Sequence, residues 1–216
     1  MIPNVWLYAT WQEMNKASAS LITFGAEIFQ GAKLVRDTEL LKAIRLELDK
    51  QDTNALPPPP KEIIEFSFEY LIDCVRILIF FENYMKAELI VKGFIVHLIN
   101  KEDLDFKNLA KQQFPRPIAL KEIADIKAFE VNNADKIITH TALKNKTIAY
   151  SLLTSSNEYL KQYQLTPGIV SFLKGINAYR NQLHLHDNVQ FSLSEDFIDN
   201  IEELKRFVSS TIARLH

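Results

Sequence analysis

The sequence is poor in cysteine and in glycine. Its single cysteine, Cys74, cannot form a disulfide within the chain, and one cysteine with five histidines gives no reason to expect a structural zinc site. Five glycines among 216 residues are few for a fold rich in strands and tight turns. The shortage favours long α-helices, and we expect Cys74 to be a buried core residue in a reducing compartment.

The sequence also lacks an excess of charge of one sign. The formal net charge is −2, so any binding of a polyanion depends on a local site and not on an overall basic field. The most apolar stretch, residues 77–99, contains four charged side chains, which are too costly for the core of a bilayer. The first residues lack the basic and apolar regions of a signal peptide. We expect a soluble, cytoplasmic protein that does not act in a membrane.

Helical periodicity dominates the chain. Four consecutive prolines at 57–60 cannot lie within a helix. They separate two predicted helices, 4–31 and 37–51, from a very long helix predicted over about 61–100. Residues 101–140 are harder to interpret and form either an irregular insertion or a small β-hairpin. Shorter helices are predicted for residues 120–129 and 152–163.

Two further helices are marked by their N-terminal signals. Thr166 followed by Pro167 is typical of an N-cap and a first helical residue, and Ser192 with Glu195 fits a capping box. The apolar residues of the first of these helices recur at helical spacing: Ile169, Phe172, Leu173, Ile176 and Leu183. The predicted fold is an all-α antiparallel bundle in a single domain, residues 1–216. Residues 1–56 form accessory helices, and residues 57–216 form the bundle.

One polar segment lies at the end of the predicted penultimate helix. Residues 179–187 read Tyr-Arg-Asn-Gln-Leu-His-Leu-His-Asp, and we call this segment the Arg–His motif. If the helix continues, Arg180 and His184 lie four residues apart on one face, whereas His186 points elsewhere. No glycine-rich phosphate loop, CxxC, HExxH or GxSxG signature accompanies the motif. His97 is predicted to be a core histidine on the very long helix.

The motif resembles that of the HEPN superfamily, in which an arginine is followed after four to six residues by a histidine. Arg180 and His186 have five residues between them, and Asn181 occupies the polar position that often follows the arginine. The motif also lies late in a helical domain, before a final helix. This resemblance implies a metal-independent RNA endonuclease of the toxin or defence type that works as a homodimer and uses no cofactor or metal.

The residue types suit that chemistry. Histidine titrates near neutrality and can act as a general base or acid, while arginine can bind two phosphate oxygens of a transition state. His186 is the predicted base, Asn181 would orient the phosphate or the imidazole, and His184 supports the site or replaces His186. The predicted partners are RNA, a second copy of the chain, and an antitoxin or regulatory protein.

A structural interpretation stands beside the catalytic one. An arginine, an asparagine and two histidines at a helix end can cap carbonyl groups and pair with a nearby acid such as Asp187 or Glu195. In that case the same helical bundle is a non-catalytic module that binds a protein or a nucleotide. The position of the motif in the fold therefore matters for choosing between the two functions.

Overall fold

The computed structural model describes residues 7–8, 11–49, 61–124, 131–132, 137–138, 143–182 and 195–215. The chain divides into two compact units, each built from two separate stretches. Unit 1 comprises Met1–Ile22 with Glu82–Leu165, and unit 2 comprises Thr23–Phe81 with Thr166–His216. Most described residues are helical, which confirms the predicted class at that level. The predicted division into residues 1–56 and 57–216 stays a prediction.

The helices and strands follow one another in a mixed order. The helices are α1 Trp11–Gln30, α2 Lys33–Arg36, α3 Thr38–Asp49, α4 Lys61–Val91, α5 Lys107–Gln112, α6 Leu120–Ala124, α7 Tyr150–Ser155, α8 Asn157–Leu160, α9 Pro167–Gln182 and α10 Glu195–Ala213. The strands are β1 Leu7–Tyr8, β2 His97–Ile99, β3 Val131–Asn132, β4 Ile137–Ile138 and β5 Leu143–Thr147. In the described part of the chain, no helix is both long and apolar enough to cross a membrane.

Unit 1 carries the β-structure. Strands β2 and β5 pair antiparallel, and β4 lies between β1 and β3 in a second antiparallel sheet. The apolar core beneath β2 and β5 is formed by Ile95, Ile99, Phe106, Ala110, Ile118, Ile123 and Leu143. The predicted insertion at 101–140 contains the short helices α5 and α6 and the antiparallel hairpin strands β3 and β4. An all-α description is therefore too strict.

Unit 2 has an aromatic core and capped helices. Its ring contacts are Phe29–Phe80, Phe80–Phe81, Phe81–Phe207, Tyr70–Phe197 and Phe172–Phe197, with centroids 5.0–5.6 Å apart. The sequence offers either Asp37 or Thr38 as the N-cap of α3. The amide of Leu40 donates to the Asp37 carboxylate at 3.0 Å, so Asp37 is the cap. A second carboxylate, that of buried Asp73, accepts from the amide of Leu34 near the start of α2.

The predicted helix over 61–100 is wrong at its end. It stops at Val91 because Gly93 adopts a left-handed conformation with φ of 76°. The amide of Gly93 donates to Ile90 O, and the amide of Phe94 donates to Leu89 O, each at 2.9 Å. These two bonds form a Schellman motif, which satisfies the last carbonyls of α4 and turns the chain into β2.

Two shorter predictions also need correction. The helix predicted for 4–31 begins only at Trp11, and the preceding Leu7–Tyr8 pairs with β4 as a strand. The segment 152–163 is interrupted at Ser156, whose backbone is extended and whose hydroxyl donates to Pro115 O at 2.7 Å. The helix predicted for 120–129 is present over Leu120–Ala124, and residues 125–129 lie outside the described residues.

Candidate functional site

The helix that leads to the Arg–His motif is fixed at its N-terminus by local chemistry. The hydroxyl of Thr166 accepts a hydrogen bond from the amide of Ile169 at 3.2 Å, and Pro167 is the first residue of α9. The same hydroxyl donates to Glu203 of α10 at 2.8 Å. The predicted N-cap is thereby confirmed, and it also ties α9 to the last helix.

The middle of α9 is buried in unit 2. Ile169, Leu173 and Ile176 are each at most 2% exposed. This stripe fills the core of the monomer, so it is not available as a dimer interface. Position 180 follows Ile169 by eleven residues, which is about three helical turns, and therefore continues the face of this stripe.

The end of α9 runs past the start of α10. The rings of Phe172 and Phe197 meet edge to face, with centroids 5.2 Å apart, so the first turn of α10 lies beside the middle of α9. Ten further residues of α9 follow Phe172 up to Gln182, and at the α-helical rise they extend about 15 Å. Arg180 and Asn181 lie in that extension, in the last turn of the helix.

The remaining members of the predicted site are not described. His184 and His186 lie outside the described residues, as does Ser192 of the predicted capping box. Arg180 and Asn181 are placed by the backbone of α9 alone. The structure therefore gives the position of the first half of the Arg–His motif, and the pairing of arginine with histidine stays a prediction.

An acidic groove lies between the N-terminal half of α9 and α10. It encloses about 770 Å³, and its charged lining residues are Asp196, Asp199, Glu202, Glu203 and Arg206. A hydrogen bond from Lys205 lowers the pKa of the Glu202 carboxyl, which keeps this side chain ionised. Four carboxylates repel a phosphate backbone, so a bound RNA would not follow this groove.

Two other titratable residues singled out in the sequence, Cys74 and His97, lie in surroundings that suit a structural role. Cys74 is fully buried, as predicted, and burial raises the pKa of its thiol to about 12. His97 lies on strand β2 and not on a helix, because α4 has already ended. Its Nδ1 lies 3.3 Å from Lys144 O, and burial lowers the pKa of its imidazole. Neither residue has the surroundings of a nucleophile or a general base.

A basic pocket in unit 1 was not predicted from the sequence. It encloses about 490 Å³ and is lined in part by Lys101, Phe114, Lys144, Asn145 and Lys146, and we call it the lysine pocket. In the sequence, the pocket is marked only by the contiguous Lys-Asn-Lys run at 144–146. The other residues that line it come from distant segments. Among the residues that the structure describes, no group of histidine, cysteine and acidic side chains could hold a metal ion.

Comparison with family models, curated proteins and solved structures gives no match to this chain.

Proposed function

We propose that this chain is a HEPN-like, metal-independent RNA endonuclease of the toxin or defence type that acts as a homodimer. The observation that carries the proposal is the position of Arg180 and Asn181 in the last turn of α9. This helix is capped at Thr166, buried along its middle, and extends beyond the start of α10. Such a support gives the backbone of both residues a fixed position, which a phosphate-binding arginine requires.

The proposed reaction is attack of a ribose 2′-hydroxyl on the adjacent phosphorus. His186 takes the proton of this hydroxyl, and Arg180 stabilises the charge on the non-bridging phosphate oxygens. Asn181 orients the phosphate or holds the tautomer of His186. The bond from phosphorus to the 5′-oxygen breaks, and a second histidine protonates this leaving group. The products are a 2′,3′-cyclic phosphate and a 5′-hydroxyl.

The second histidine is the reason for a dimer. His184 and His186 are two residues apart, so their rings point to different sides in a helix and differ in height along an extended chain. A twofold axis near the end of α9 would bring two copies of the Arg–His motif together, and twofold dimers are the commonest oligomers. Because the apolar stripe of α9 is already buried, the proposed interface involves residues 179–187 and not the middle of the helix.

The direct test is incubation of the purified protein with total RNA in chelator. We expect cleavage without added metal, and we expect the new ends to carry cyclic phosphates. Arg180→Ala and His186→Ala should each abolish cleavage, while His184→Ala should reduce it only partly. Arg206→Ala is the matched control for charge, because it removes one exposed arginine of unit 2 that lies outside the motif, and it should leave cleavage unchanged.

Three results would contradict the proposal. Activity that is lost in chelator and restored by magnesium or manganese would exclude the metal-independent mechanism. Light scattering that gives 24.9 kDa at micromolar concentration, and not about twice that mass, would exclude the dimer. Absence of cleavage, together with a melting temperature lowered by several degrees in Arg180→Ala, would favour the non-catalytic module in which the motif caps the helix.

A further inference from the structure

The lysine pocket is built on a rigid part of unit 1. Gln113 is 1% exposed, and its side-chain amide bonds to the edge of β2 that does not pair with β5. Its Nε2 donates to His97 O at 2.7 Å, and its Oε1 accepts from the amide of Ile99 at 2.9 Å. The other edge of β2 pairs with β5, so the strand is hydrogen-bonded on both sides. The floor of the pocket is therefore pre-formed.

The aromatic ring of the pocket stands on an anchored turn. Phe114 lies between Gln113, whose carbonyl accepts from the hydroxyl of Tyr159 at 2.8 Å, and Pro115, whose carbonyl accepts from the hydroxyl of Ser156 at 2.7 Å. The side chain itself is 49% exposed. A half-exposed phenylalanine on a fixed backbone offers a π-surface whose ordering has largely been achieved on folding.

Three lysines give the pocket its charge. Lys144 and Lys146 are alternate residues of β5, so they lie on the same face of the strand about 6.6 Å apart. The Nζ of Lys101 lies 4.9 Å from the centre of the Phe114 ring. No acidic side chain is among the described residues that line the pocket, and the described part of the chain shows no ion pair to these lysines. They are therefore available to an anionic ligand.

We propose that the lysine pocket binds one nucleotide unit of single-stranded RNA. The base stacks on Phe114, and the flanking phosphates pair with Lys144 and Lys146. The enclosed volume of about 490 Å³ suits a ligand of nucleotide size. The exposed Phe114 ring favours a nucleotide over an acidic peptide. The carboxylates of such a peptide could pair with the lysines, but the peptide has no base to stack on the ring. This site is separate from the Arg–His motif, and the proposal does not depend on cleavage.

Binding can be measured on the full chain with a fluorescein-labelled 12-nucleotide oligouridine whose 2′-hydroxyls are methylated. This probe has no nucleophile for self-cleavage, so it reports binding whether or not the chain is a nuclease. Phe114→Ala should weaken binding about 5- to 100-fold, the range of one lost base stack. Phe114→Leu should weaken binding similarly, since it keeps an apolar side chain without a π-face, and Phe114→Tyr should retain affinity. Phe24→Ala, another exposed phenylalanine at 57%, is the control and should bind normally.

The contribution of charge is measured by the salt dependence of the same binding. Lys144→Gln combined with Lys146→Gln should reduce the slope of log K against log salt by about 1.4, since a single strand gives about 0.7 per neutralised phosphate. The matched double control is Lys121→Gln with Lys161→Gln, which removes two exposed lysines of unit 1 outside the pocket and should leave the slope unchanged.

The competitors distinguish the sources of the ligand. Unlabelled oligouridine should displace the probe at far lower concentration than uridine monophosphate, because only the polymer engages both lysines. Displacement by the mononucleotide at equal concentration would overturn the RNA assignment in favour of a free nucleotide. Displacement by polyglutamate, with no loss in Phe114→Ala, would overturn it in favour of an acidic peptide. Equal affinity for duplex RNA would also overturn it, because paired bases cannot stack on the ring.

Discussion

The bridge made by Gln113 gives the sharpest prediction about stability. Gln113→Leu keeps a side chain of similar size but removes both hydrogen bonds to β2, and it leaves the amide of Ile99 and the carbonyl of His97 without their partner. An unsatisfied buried polar group costs about 1–3 kcal/mol, so two of them predict a loss of about 2–6 kcal/mol. At 1.4 kcal/mol for each factor of ten, the amide of Ile99 should exchange its hydrogen about 30- to 20,000-fold faster.

Hydrogen exchange of the segment 97–99 and denaturant unfolding monitored by circular dichroism provide the two measurements. The neighbouring substitution Gln112→Leu is the matched control, because Gln112 is exposed and should change the free energy of unfolding by less than about 0.5 kcal/mol. If Gln113→Leu left both the exchange of Ile99 and the stability at the level of this control, the two hydrogen bonds would not hold β2 in place. The rigid floor assigned to the lysine pocket would then be wrong as well.

Three further predictions concern buried polar groups. Asp73→Ala should destabilise the protein by about 3 kcal/mol in denaturant unfolding, because it removes the acceptor of the Leu34 amide and leaves Arg76 without its carboxylate; a change below about 1 kcal/mol would refute this role. Burial lowers the pKa of His97, so the folded state favours the neutral imidazole. The free energy of unfolding should therefore be highest above about pH 6.5 and should fall as the pH drops from there through the folded pKa. His97→Gln should flatten this pH dependence, measured as the midpoint of urea unfolding. Cys74 should resist alkylation by iodoacetamide at pH 8 in the native protein and react fully in denaturant, and rapid native labelling would contradict its burial.

Features set by neighbouring residues could be predicted from the sequence. Asp37 and Thr166 begin their helices through hydrogen bonds that span three residues, so the residue types alone were informative. The buried side of α10 was also largely predictable from the spacing of Phe197, Ile201, Leu204, Val208 and Ile212: the first four are buried, and Ile212 is half-buried. Helix caps and the spacing of apolar residues along one helix depend on residues close together in the sequence, not on distant parts of the chain.

Features that join distant residues could not be predicted in this way. The apolar run after α4 was read as helix because Ile95, Val96 and Ile99 suit a buried helix and a buried strand equally well, and only the turn at Gly93 decides between them. Strand β1 exists because Leu7 pairs with Ile138, more than a hundred residues later.

The two candidate sites differ in the same respect. The Arg–His motif was visible because its members are contiguous in the sequence. The lysine pocket was not, because Lys101, Phe114 and Lys144 come from three segments that the fold brings together. A site assembled from separate segments cannot be read from one sequence without an alignment or a structure.

The interleaved composition of the two units has a consequence during synthesis on the ribosome. All of unit 1 has been made once residue 165 has been added, whereas unit 2 still waits for residues 166–216. At roughly 5–20 residues per second, these last 51 residues (216 minus 165) take about 3–10 seconds. During that interval Tyr70 and Phe81 have no α10 rings to pack against, because Phe197 and Phe207 do not yet exist. The nascent chain therefore passes through a stage in which Tyr70 and Phe81 lack these partners and are open to chaperones, and a premature stop after residue 165 would leave that stage permanent.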